Sequence, residues 1–151
     1  MVLAVVGSFG YKLFFLLHIF AVVVAFAPGF VNPILSARYK KEGTSIPGEL
    51  GEKLYKDSQQ IHGPALVLVA FFGLGMVGMS DKVYEFSQTW VSIALLLWFL
   101  MVGVVFGLLL PAEKKAAAGD EVAESRVAMF GGMMHVLFLL MLVDMIWKPG
   151  F

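Results

Sequence analysis

The chain contains no cysteine. That absence excludes disulfides, thiolate nucleophiles, cysteine-ligated zinc and iron–sulfur clusters. Charge is also scarce: Asp, Glu, Lys and Arg make up 15% of the 151 residues, against about a quarter in soluble domains. The formal net charge is zero, so no nucleic-acid partner is implied. No basic segment precedes the first apolar run, and no A-x-A-like site follows it. The opening is therefore not read as a cleaved signal peptide, and the first apolar run is expected to be retained. No residue pattern forms a catalytic signature.

What is abundant is apolar surface, at 60% of the residues. The few charges are segregated, leaving residues 13–37, 58–80, 86–112 and 127–143 without any. A hydrocarbon core about 30 Å thick needs roughly 20 apolar residues in a helix. The pattern predicts an all-α integral membrane four-helix bundle, antiparallel and up-down-up-down, forming one transmembrane domain. Its spans are expected at about 11–33, 61–79, 89–110 and 127–147. Residues 1–10 are apolar but broken by Gly7, Ser8 and Gly10, and either extend the first helix or lie in the interface. Pro28 is expected to kink the end of the first span, and Pro111 to end the third. A short interfacial helix is possible over 48–60.

Two polar loops, 36–57 and 113–126, separate the hairpins. Arg38, Lys40, Lys41, Lys53, Lys56, Lys114, Lys115 and Arg126 lie on their side, against Lys12, Lys82 and Lys148 on the other. The excess of basic residues predicts cytoplasmic loops and both termini outside. Tyr11, Tyr84, Trp90 and Trp147 fit an outer aromatic belt.

Lipid gives helices no hydrophobic reason to associate, so small residues mark the faces that meet. Gly103 and Gly107 in the third span, Ala128 and Gly132 in the fourth, and Gly73, Gly75 and Gly78 in the second form such faces. Gly103 and Gly107 are the candidate surface for a homo-oligomer or a larger membrane complex.

His18 and His135 lie within spans, and His62 stands at the start of the second. At helical spacing Ala21 and Ala25 share the face of His18, and Gly131, Gly132 and Ala128 that of His135. Imidazoles beside side-chain-poor faces suit a porphyrin packed between helices, with His18 and His135 as axial ligands to a b-type heme iron. Ala21, Ala25, Gly131 and Gly132 would make room for the ring, and His62 is the alternative ligand. The same histidines also read as hydrogen-bonding groups donating to neighbouring carbonyls, or as proton carriers. Asp144, within the last span, is expected to pair with Lys148 one turn on. Met134, Met141 and Met145 fall along one face, where thioethers either fill space or bind copper.

The stretch LLHIFAVVVAFAPG (residues 16–29), with Gly73–Gly78 and Thr89-Trp90, resembles the opening and layout of small four-helix bacterial membrane proteins. These include the HemJ-type protoporphyrinogen oxidases, the CopD-like copper-resistance group, and an uncharacterised "predicted integral membrane protein" family, which is the nearer likeness. The resemblance implies a prokaryotic plasma membrane and, for the HemJ type, heme b on His18. Trp90 is followed by VSIALLLWFL with no lysine, and Arg38 alone follows the first span, so the likeness does not extend to protoporphyrinogen oxidation. The chain is then read as heme-binding, as a cofactor-free accessory subunit of a respiratory or transport complex, or as a copper or small-ion protein. If it is an enzyme, it is a heme-dependent membrane oxidoreductase.

Overall fold

A computed structural model describes residues 6–151, and these are all-helical, with no strand among them. Four long helices follow one another: α1 (Phe9–Lys41), α2 (Gly48–Gly78), α3 (Thr89–Ala117) and α4 (Glu121–Trp147). Each is long and apolar enough to cross a membrane. The bundle is inverted relative to a soluble one. Phe15, Leu16, Phe20 and Val23 on α1 are exposed, as are Val136, Leu139, Leu140 and Val143 on α4. So much continuous apolar surface does not stand in water; lipid tails are its solvent.

The helices run further than the apolar stretches. α1 passes through Pro28 and Pro33 and ends in the basic turn Arg38, Lys40 and Lys41. Residues 48–57 are not a separate interfacial helix but the first turns of α2. Likewise α3 continues past Pro111 to Ala117. Ser8 caps α1, its hydroxyl accepting from the Tyr11 amide, so the helix begins just after Gly7. The possible extension over residues 1–5 lies outside the described residues.

Proline is tolerated in two ways. Ser58–His62 and Val105–Leu109 are π-helical turns, closed by Gly63 N–H to the Ser58 carbonyl and Leu110 N–H to the Val105 carbonyl. Each wide turn comes immediately before the helical turn carrying Pro64 or Pro111. A wider turn relieves the clash a proline ring makes with the preceding turn. In α1 the solution is tertiary and involves a histidine, described below.

Residue contacts define the two ends of the bundle. At one end a Cβ on Gly48 or Gly51 would lie 3.2–3.3 Å from Ala117 backbone atoms, so α2 and α3 approach closely there. At the other, the Lys148 ammonium donates to the Tyr84 hydroxyl (2.9 Å), and Tyr84 stacks edge-on against Trp90. Ser80, fully buried, donates within hydrogen-bond reach of the Val77 and Tyr84 carbonyls and accepts from the Tyr84 amide, fixing that turn. Between the ends, Leu66, Met101, Val105 and Leu110 form the packed centre.

Candidate functional site

Pro28 has no N–H, so the Val24 carbonyl, four residues earlier, loses its helical donor. His62 replaces it: Nδ1 lies 2.7 Å from the Val24 oxygen. In the same way His18 Nδ1 bonds the Val69 carbonyl (2.8 Å). That approach needs Gly73, because a Cβ there would stand 3.2 Å from the His18 ring. His135 bonds within its own helix, Nδ1 to the Gly131 carbonyl (2.8 Å), and its ring meets Phe30 edge-on.

The three hydrogen bonds have one chemical consequence. A carbonyl only accepts, so each neutral imidazole must carry its proton on Nδ1, leaving a lone pair on Nε2. None of the three Nε2 atoms has a hydrogen-bond partner among the described residues. A histidine pinned through Nδ1 to a backbone carbonyl, with Nε2 free, is the usual condition of a metal-ligating histidine.

The structure does not bring His18 and His135 together. His135 packs against Gly29, whose Cβ would lie 3.5 Å from Cε1 and Nε2. Gly29 is eleven residues from His18 on α1, about 16 Å of helix. Instead His135 and His62 line one cavity, and His18 lines another.

The first cavity has a volume of about 530 Å³, within the roughly 300–1,000 Å³ of sites that hold organic ligands. Ala25, Gly29, Gly63, Ala128, Gly131 and Gly132 supply much of its wall. A Cβ added at Gly131 or Gly132 would meet nothing within 4 Å, so these two glycines present open space. Of the residues expected to make room for a ring, Ala25, Gly131 and Gly132 lie on this cavity, whereas Ala21 is buried in helix packing. A flat apolar ring with a ligatable metal fits this donor set and wall.

Sequence reasoning missed Glu113, Ser58 and Asn32 as members of the same cavity. Glu113 lies beyond the apolar part of α3, past Pro111, with Oε2 out of contact with water and without a partner. Burial pushes its carboxyl up to about 7, against a smaller downward pull from the Ser58 hydroxyl. Its one sequence signal is a charge immediately after a proline-ended apolar run.

Elsewhere the expectations divide. Lys148 takes a left-handed conformation (φ 42°) at the end of α4, which carries its ammonium to Tyr84 and away from Asp144. The expected ion pair is not formed, and both carboxylate oxygens of the buried Asp144 stand without a partner. The methionines do not converge: Met129 and Met133 are exposed, Met134 lines the first cavity, and Met141 and Met145 line the second. Among the described residues no three His, Asp or Glu side chains cluster to hold a metal ion. Gly73 and Gly75 do face α1, whereas Gly78, Gly103 and Gly107 face open space.

Comparison with protein-family models, curated proteins and solved structures gives no match. The reading therefore rests on the site itself.

Proposed function

We propose that this small integral membrane protein binds a b-type heme in the 530 Å³ cavity, in electron transfer or heme handling. The supporting observation is the convergence of His62 and His135 on one cavity, each with Nδ1 held by a carbonyl and Nε2 free. These two residues would hold the iron, and Gly131, Gly132 and Ala25 would pack the ring. Such a group supplies one-electron chemistry when bound. The protein's part is to fix the imidazole tautomer, exclude water with apolar walls, and keep Glu113 at the cavity edge as a group able to hold or release a proton. The His18–His135 pair is set aside in favour of His62 and His135 on the separation given above. The proposed setting is a prokaryotic plasma membrane, as the family resemblance implies, with both termini outside on the distribution of basic residues.

An absorption spectrum of the detergent-purified protein, oxidised and reduced, tests this directly. A Soret band is expected. It should be lost or shifted in His135→Phe and in His62→Phe, and retained in His18→Phe. A featureless spectrum from heme-replete cells, or a band indifferent to both cavity histidines, would sink the proposal.

A second reading is favoured by one observation. Gly103 and Gly107 are exposed on α3, and a Cβ on either would meet nothing within the chain. A face of this kind suits close approach by a helix from another subunit, as an accessory subunit or homo-oligomer requires. Gly103→Leu and Gly107→Leu should then abolish co-purification or self-association without altering the monomer.

A further inference from the structure

The second cavity, of about 320 Å³, lies toward the Tyr84–Lys148 end of the bundle and does not include His62 or His135. Its wall is aromatic and thioether-rich, with Trp90, Trp98 and Met101 among its members. Four polar side chains break that apolar lining, the Tyr11 and Tyr84 hydroxyls together with His18 and Lys148; the last two carry the strongest acceptor and the only charge. His18 Nε2 carries a lone pair, because Nδ1 is committed to the Val69 carbonyl; it can only accept a hydrogen bond. Lys148 Nζ is a cation that can only donate; one of its three protons is used by the Tyr84 hydroxyl, and it lies over the Tyr84 and Trp90 rings.

A hydrocarbon tail would leave the His18 lone pair unsatisfied, and a carboxylate would satisfy Lys148 alone. A metal ion finds a single imidazole beside neutral thioethers, with no anionic ligand and a repelling ammonium. The complementary ligand is flat and apolar, with an O–H to give to His18 and a second oxygen to receive from Lys148. We propose that this cavity is a binding site for a hydroquinone-type headgroup, held between His18 Nε2 and Lys148 Nζ against the tryptophan wall. The site is distinct from the proposed heme cavity, yet Phe26 and Leu66 line both. A single side-chain layer separates the two occupants.

The test uses intrinsic tryptophan fluorescence of the purified full chain, titrated with a short-chain hydroquinone and, separately, with its dimethyl ether. The ether matches the hydroquinone's core and both oxygens but carries no O–H. Saturable quenching by the hydroquinone is expected, with the ether at least tenfold weaker. His18→Leu should bring the hydroquinone down to the level of the ether. Lys148→Met should weaken both ligands alike, since ether oxygens still accept. Equal affinity for the two ligands in the wild-type protein would overturn the proposal, because it would describe a void that any apolar molecule fills, lipid or detergent included. That comparison needs no variant to fold. The His62→Phe/His135→Phe protein should give the same ratio, so failure of the heme reading and failure of this one are distinguishable.

Discussion

The Val24 carbonyl shows how single residues shape this protein. A proline within a membrane helix exposes one acceptor, and in lipid that acceptor has no water to turn to. His62 fills the vacancy from α2, so Pro28 fixes the tautomer of a histidine on another helix. Pro28→Ala restores an N–H to Val24 and makes it compete with His62. The expected outcome is a mixed Nδ1-H/Nε2-H population at His62 in ¹⁵N NMR spectra, where the wild type shows the Nδ1-H form alone. Glu113 carries the other residue-scale prediction. Its carboxyl is raised from 4.5 to about 7 in the folded protein, so folding takes up a proton between those values. Stability from this group is fully present below pH 4.5 and is lost as pH rises through about 7. Lys40, His62, Glu124 and His135 line the same cavity, so the assignment needs the variant. The infrared band of a protonated carboxylic acid should disappear between pH 6 and 8, and Glu113→Gln should remove both the band and that step in the thermal midpoint.

Among elements, α1 and α2 pack closely, and their contact depends on glycine. A Cβ on Gly75 would run into the Phe14 ring, and one on Gly73 into His18. Gly75→Ala should therefore cost about 1–3 kcal/mol, the usual penalty for overpacking a filled interface, measured by thermal unfolding in detergent. Gly131→Ala and Gly132→Ala should leave that midpoint unchanged or raise it slightly, since nothing lies within 4 Å of the added carbon and alanine favours the helix. The small-residue faces were legible as a class, because lipid makes close approach the main route to helix association. Which glycines pack and which stand open was not, since Gly73, Gly103 and Gly131 look alike until the partner helix is in place. The π turns at 58–62 and 105–109 were equally hidden. Proline predicts a break, but a widened turn lets the helix continue.

At the scale of the whole molecule, four apolar helices face lipid, and each of the three histidines finds a carbonyl. The connections at 42–47 and 118–120 lie near the Lys40 and Glu124 side of the first cavity, and the 79–88 turn near the second. The proposed orientation puts the first pair in the cytoplasm. Cysteines introduced at Thr44 and at Gly119 should both resist an impermeant thiol reagent in intact cells and react after lysis. Labelling of both in intact cells would reverse the orientation and place Glu113 on the outer side.

Number and membrane character of the helices followed from sequence alone, because charges cannot sit in hydrocarbon and their absence over four stretches is visible without any partner; how far each helix runs past its apolar stretch did not. The presence of histidines facing the interior followed for the same reason. Which histidines share a space did not follow, because helix depth and rotation are set by contacts such as Pro28–Val24–His62 and Gly73–His18, between residues 38 and 51 positions apart. Only the tertiary structure separated His18 from His135, set His62 and His135 on the wall of one cavity, and gave His18 another.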